Sequence, residues 1–225
     1  MSSGERGQPE RIRLMMVDDH PIVREGMALF LNSQDDLHLC HQAGTAEEAL
    51  AALSTVRPAL VIVDISLHKA SGLDLIRTLR RRDPALGLLA MSLHEESVFA
   101  ERALQAGANG YLMKQEATSN ILRAIRKVLA GEIYLSAAMH GHLARKLAAP
   151  GAAMASPIAG ISEREFEVLH LLGLGFGTRQ ISEKLNRSIK TIEAHRASLK
   201  DKLKLQTGAE LLRFAIQWLD ERPPA

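Results

Sequence analysis

The sequence predicts an α/β protein with a second, smaller part: a five-stranded, doubly wound parallel sheet followed by a small all-α domain. Three observations carry this. Short apolar runs alternate with helical patterns five times in about 120 residues. Strand-like runs then cease at an Ala/Pro stretch, Ala148 to Pro157. Beyond it, Ser162 to Leu219 shows only the periodicity of four short helices.

The elements follow in order. Ile12-Arg13-Leu14-Met15-Met16-Val17 is the first strand and ends in Asp18-Asp19. Pro21 to Leu31 carries Ile22, Val23, Met27, Leu29 and Phe30 on an amphipathic helix. A second strand lies near Leu37 to Gln42, where Cys40 reads as a small buried strand residue. After a loop at Gly44, Thr45-Ala46-Glu47-Glu48 is a capping box: Thr45 caps the helix and Glu48 reaches back. That helix runs to about Leu53. Leu60 to Val63, bounded by Pro58, fits a strand buried on both faces and ends in Asp64. Gly72 opens a helix through about Arg81, stopped by Asp83-Pro84. Leu88 to Met91 is the fourth strand, closed by Ser92, and a helix from about Glu95 to Gln105 ends at Gly107. Gly110 to Met113 is the fifth strand, closed by Lys114, and the last helix of this half spans Thr118 to Leu129.

The expected boundaries are a disordered tail at 1–10, a sheet domain at 11–132, a partly helical linker at 133–158 and a helical domain at 159–221. His140 to Leu147 supplies the helix within the linker. The tail has no apolar core and does not read as a signal peptide. No apolar run approaches the roughly 20 residues of a membrane span. A single cysteine excludes an internal disulfide framework and suits a reducing cytoplasm. The net charge of +2 says little about partners, so local charge must carry that argument.

The strand ends gather one chemistry. In a parallel sheet, Asp18, Asp19, Asp64, Ser92 and Lys114 share one edge, at the mouth where open α/β sheets bind ligands. Grouped carboxylates repel unless a cation holds them, and they suit Mg²⁺, which pairs readily with phosphate oxygens. Asp64 can act as a carboxylate nucleophile that forms an aspartyl phosphate. Lys114 can neutralise a phosphoryl oxygen as a point charge, and the Ser92 hydroxyl can donate to another. His20 and His68 flank the cluster and His94 follows Ser92, but no zinc-type spacing is present, so they read as surface residues.

This array resembles the receiver domain of two-component response regulators, a flavodoxin-like fold, over about residues 11–132. Gly72, eight residues beyond Asp64, matches the family's loop glycine, and Tyr111, three before Lys114, its switch aromatic. The resemblance implies that Asp64 is the phosphoacceptor. It implies Mg²⁺ on Asp19 and Asp64, with Asp18 direct or through water and the Ser66 backbone carbonyl as a further ligand. It makes Ser92, Lys114 and Tyr111 the residues that read the phosphate. Leu67-His68 departs from the family's Met-Pro. His94 falls where receivers vary a residue that affects phosphate lifetime.

The second constellation is Thr178 to Lys200. It reads as a helix, a tight turn at Asn186-Arg187-Ser188, and a second helix, which is helix-turn-helix spacing. From 179 to 204, eight Lys and Arg face three acidic residues, an excess suited to a phosphate backbone. Ser188 is a natural N-cap. Ser162-Glu163-Arg164-Glu165 is another capping box, and His195 and Trp218 read as packing residues.

The stretch from Ile161 to about Leu219 resembles the four-helix DNA-binding domain of LuxR/NarL-type regulators. Ser162 to Glu165, Val168-Leu169, Gly175, Ile181, Leu185, Ser188, Thr191-Ile192, His195-Arg196 and Lys202-Leu203 carry the likeness. Ser182 and Gly177 depart from the usual Ala and Ser. By this resemblance the recognition helix starts near Ser188. Glu193, Ala194 and Ala197 face base edges, while Arg179, Ser188, Lys190, Thr191, Arg196 and Lys200 belong to the same DNA surface.

The combined reading is a cytoplasmic transcriptional response regulator, not a turnover enzyme. A sensor histidine kinase phosphorylates it with Mg²⁺, and it binds the major groove of double-stranded DNA as a homodimer when active. An Asp-dependent phosphatase is the enzymatic rival, but Ser66 stands where its general-acid Asp belongs. A regulator that works without phosphorylation is the other rival, and the complete acidic set argues against it.

Overall fold

The computed structural model describes residues 11–67, 70–93, 96–116, 118–148, 158 and 160–220. The tail, His68, His94 and most of the Ala/Pro stretch lie outside the described residues. The chain divides into two compact units, Met1–Met139 and His140–Ala225.

The first unit contains β1 (Ile12–Val17), α1 (Pro21–Asn32), β2 (Leu37–Ala43), α2 (Ala46–Val56), β3 (Leu60–Asp64), α3 (Gly72–Arg82), β4 (Gly87–Ser92), α4 (Glu96–Ala106), β5 (Gly110–Met113) and α5 (Thr118–Leu129). All strand pairs are parallel, in the order β2-β1-β3-β4-β5. The strands are short, and the central β3 and β4 bury both faces, as alternating crossover helices require. All five residues of β3 and all six of β4 are buried. One sheet face packs Leu14, Met16, Leu60, Ile62, Leu89 and Met91 with Leu31 of α1 and Ile121, Ala124, Ile125 and Val128 of α5. Each fully buried Val, Leu or Ile contributes about 1.5–3 kcal/mol, so this sheet is a rigid platform for its strand ends.

Local chemistry sets the joints. Thr45 accepts from Glu48 N at 3.2 Å. Glu48 reaches back one residue further than a capping box requires, accepting from Gly44 N at 2.7 Å. Pairing of β1 with β2 slips between Leu14 and Met15, leaving Cys40 as the extra residue. Its thiol turns back to donate to Leu14 O at 3.1 Å, and it is half-buried rather than buried.

Helix α6 (Ala137–Ala148) is longer than the expected His140 to Leu147 and starts in the first unit. The second unit holds α7 (Glu163–Gly173), α8 (Thr178–Lys184), α9 (Ile189–Leu203) and α10 (Gly208–Asp220). The Ser162 box is complete: Ser162 Oγ accepts from Glu165 N at 3.4 Å, and Glu165 accepts from Ser162 N at 2.6 Å. The turn between α8 and α9 uses Asn186 at φ 51°, a left-handed conformation that Asn tolerates. Phe166, Val168, Leu169, Ile181, Ile192, Leu199, Leu211 and Ala215 form the core. Trp218 packs edge-on to Phe166, with ring centres 5.1 Å apart, as its reading as a packing residue requires.

Candidate functional site

The order β2-β1-β3-β4-β5 reverses direction between β1 and β3, and the crevice beyond such a reversal is where open α/β sheets bind ligands. Val17 pairs with Val63, so Asp18 and Asp64 emerge side by side. Lys114 bridges them: its ammonium lies 2.6 Å from Asp18 Oδ2 and 2.8 Å from Asp64 Oδ2. Lys114 N also donates to Ser92 O at 2.6 Å, which ties the ends of β4 and β5 together. The other Asp64 oxygen accepts from Ser66 N at 2.9 Å. Asp18, Asp64 and Ser92 are essentially inaccessible to solvent.

Gly72 explains its own identity. A Cβ there would collide with the Asp64 carbonyl oxygen and Ile65 Cα, while Gly72 N donates to Ile65 O at 3.1 Å. Helix α3 therefore rests directly on the backbone of Asp64.

Burial is the largest influence on both members of the central pair. It pushes the Asp64 carboxyl above its ordinary value; Lys114 opposes this and Asp18 adds to it. Burial alone would lower Lys114, but Asp64 and Asp18 together hold its ammonium above the ordinary value. The ammonium is therefore firmly charged and serves two carboxylates at once.

Ligand atoms of Asp18, Asp19, His20 and Asp64 lie within 4.8 Å of one another, so the cluster could hold a metal ion. His20 is the residue that sequence reasoning undervalued. Its ring is 60% exposed, as a surface residue should be, yet Nδ1 stands 2.9 Å from Asp19 Oδ1 and 3.1 Å from Asp18 Oδ1. Its backbone N–H donates to Asp18 Oδ1 at 2.8 Å. Direct adjacency to the acidic pair was the available signal. Arg24 Nη1, one turn into α1, donates to Asp18 O and was not singled out. Tyr111 is fully buried.

In the second unit, Ser188 caps α9 by accepting from Thr191 N at 3.1 Å, and the two hydroxyls share a 2.8 Å bond. Lys190, Glu193, Ala194 and Ala197 are exposed, and Lys200 is half-buried. Glu193, Arg196, Ala197 and Lys200 line a shallow depression with Thr178 and Gly208. Some of the positive charge is already engaged. Arg196 donates to Thr178 Oγ1 at 2.7 Å. Exposed Arg179 lies 3.4 Å from Glu183, and Lys184 sits 4.5 Å over the Phe176 ring. Lys202 donates to Glu165 Oε2 at 2.7 Å, and Ser198 Oγ donates to Glu165 Oε1 at 2.5 Å. Glu165 thus caps α7 and also anchors α9. Burial opposes its ionisation, but Lys202, Ser198 and Ser162 hold its carboxyl down at about 2. Burial leads in lowering His195 below the ordinary imidazole value.

Residues 14–126 match the response regulator receiver domain, and residues 159–215 match the bacterial regulatory proteins of the luxR family. The chain belongs to the LuxR-type response regulators. The transcriptional activator protein ExaE of Pseudomonas putida is 38% identical over 204 residues, 91% of this chain and 95% of that one. The response regulator GacA of Pseudomonas protegens is 34% identical over 92% of this chain and 96% of its own length. Among solved structures, a LuxR-family regulator from Aurantimonas sp. SI85-9A1 superposes with a TM-score of 0.57 at 31% identity. It covers 62% of this chain and 100% of that one. The RcsB response regulator of Salmonella typhimurium superposes with a TM-score of 0.55 at 25% identity, over 91% and 97% of the two chains. This response regulator therefore couples a receiver to a LuxR-type DNA-binding domain for transcriptional control, and its receiver implies a kinase partner. Among the described residues, no helix is long and apolar enough to cross a membrane.

Proposed function

We propose that Asp64 is the phosphoacceptor, that a sensor histidine kinase supplies the phosphoryl group, and that phosphorylation drives homodimerisation and promoter binding in the cytoplasm. The observation that carries this is Lys114 held between Asp18 and Asp64 at 2.6 and 2.8 Å on the sheet's C-terminal edge. An Asp64 carboxylate oxygen attacks phosphorus as the bond to the kinase imidazole nitrogen breaks, and the imidazole leaves with the bonding pair. Lys114 and the Ser92 hydroxyl take the phosphoryl oxygens. Catalysis of this kind is positioning and charge neutralisation, so the receiver supplies its own transfer and later hydrolysis.

The donor set fits Mg²⁺: three clustered carboxylates supply hard oxygen ligands. Asp18, Asp19, Asp64 and the Ser66 backbone carbonyl would hold the ion. When bound, it neutralises phosphoryl oxygen charge.

The proposed domains are the receiver at 11–132, a connector at 133–158 and the DNA-binding domain at 159–221. In the latter, α9 enters the major groove with Glu193, Ala194 and Ala197 toward base edges. Lys190, Thr191 and Lys200 reach phosphate, as does Arg196 after exchanging Thr178 for it, while Arg179 and Ser188 flank the groove. Two copies place their recognition helices about one turn of DNA apart.

The test is incubation of the full chain with Mg²⁺ and acetyl phosphate, read by intact mass. A single phosphoryl adduct that Asp64→Asn abolishes is expected; an adduct that survives in Asp64→Asn sinks the assignment.

A further inference from the structure

Residues between α5 and α6 do more than connect helices. Tyr134 lies beside β5 in an isolated parallel pairing with Gly110. Its N–H donates to Asn109 O at 2.9 Å, and its carbonyl accepts from Tyr111 N at 3.0 Å. Since β5 ends the sheet, this one residue covers part of an edge whose backbone groups need partners. The approach is close: a Cβ on Gly110 would stand 2.8 Å from Tyr134 O. The Tyr134 side chain is buried, with its hydroxyl 3.5 Å from Glu116 Oε2. Glu116 in turn accepts from Met113 N at 3.1 Å, next to Lys114.

Two residues on, Ser136 Oγ accepts from Met139 N at 3.1 Å and so caps α6. The Ser136 N–H donates to Glu96 Oε1 at 2.8 Å. Glu96 is the first residue of α4. A carboxylate from α4 thus sits at the N-terminus of α6, where exposed helix N–H groups favour negative charge.

Both attachments border the acidic site. Ser92 ends β4 and Glu96 opens the helix that follows it; Tyr111 and Lys114 belong to β5 and the residue after it. The Lys114 N–Ser92 O bond ties the two strand ends together.

We propose that Tyr134–Ser136 is a strap that reads the state of the acidic site. It is bonded to α4 through Glu96 and to β5 through the Tyr134 backbone, and it is released when Asp64 is phosphorylated. This rests on the phosphorylation reading above. Added phosphoryl charge of about −1.5 to −2 draws Ser92 and Lys114 toward it. That displacement carries Glu96 away from Ser136 and β5 away from Tyr134, and hydrogen bonds weaken steeply with lost geometry. Helix α6 then loses its anchored cap, and the connector to the DNA-binding domain is freed.

Hydrogen–deuterium exchange on the full chain, with and without Mg²⁺ and acetyl phosphate, tests this alongside intact mass. In the unmodified chain, exchange at the Tyr134 and Ser136 amides rises at least tenfold on phosphorylation. In Glu96→Ala, Ser136 exchanges at the raised rate before any phosphodonor, and the mass gain is unchanged. Glu96→Gln, whose amide oxygen still accepts, retains the protected state. Gly110→Ala, checked by thermal unfolding to be folded, releases Tyr134 in the same way. A mass gain with unchanged exchange at both amides overturns the strap and leaves Asp64 as the acceptor. Protection of Ser136 in Glu96→Ala equal to that of the unmodified chain also overturns it. The absence of any mass gain overturns the strap and the phosphorylation reading together.

Discussion

The acidic site and helix α9 are built in opposite ways. Asp18, Asp64 and Ser92 are buried at strand ends, fixed by the sheet and by Lys114. Glu193, Ala194 and Ala197 project from an exposed helix that Ser198 and Lys202 seat from behind. On the proposed reading, chemistry that must place one oxygen on phosphorus uses backbone precision. Recognition of a long, charged surface uses side chains that can adjust. Disturbing the first should therefore act through geometry, and disturbing the second through charge.

The largest expected effect tests that contrast most directly. Gly72→Ala keeps every acidic residue but pushes α3 into the Asp64 backbone. It should cut phosphotransfer from acetyl phosphate by on the order of a hundredfold, since displacements near 1 Å at a reacting centre cost this much. Transfer within twofold of the unmodified rate would show that the site tolerates movement after all.

Next is Glu165→Gln, which should destabilise the second unit by about 2 kcal/mol. Urea unfolding followed by Trp218, the only tryptophan of the chain, reports that unit. The pH dependence has a definite sign. The carboxyl falls from an ordinary 4.5 to about 2 in the folded chain. Its stabilisation is thus complete above pH 4.5 and lost as pH falls from 4.5 through about 2. The Gln variant should lack that part of the acid sensitivity.

A smaller effect separates two lysines of one helix. Lys190→Ala should lower the slope of log affinity against log salt by about 1. Lys202→Ala should leave that slope alone and lower stability instead, because its ammonium already serves Glu165. Equal slopes for the two variants would erase the distinction between contact and scaffold. The smallest effect concerns the turn. Asn186→Gly should be nearly neutral in urea unfolding, whereas Asn186→Val should cost about 1–2 kcal/mol at a φ of 51°.

How much of this the sequence made legible follows the same division. Strand ends are marked locally by an apolar run that stops at a polar residue, so Asp64, Ser92 and Lys114 could be gathered once the strands were parallel. Helix order in the second unit was equally readable from caps such as Ser162 and Ser188. What escaped was pairing across distance. Glu165 meets Lys202 37 residues away, and no periodicity announces a carboxylate that serves two helices. Tyr134 joins β5 through a single paired residue, too short to leave a strand pattern. His20 reads as a surface residue in the sequence, because its spacing does not reveal that the imidazole leans onto its acidic neighbours.

The double duty of Glu165 has an evolutionary consequence. One carboxylate accepts from Ser162, Ser198 and Lys202, so no single replacement can keep the cap and abandon the anchor. Glu193, Ala194 and Ala197 stand outside that set of bonds. Descendants of this chain can therefore vary those three exposed positions while inheriting the same folded scaffold.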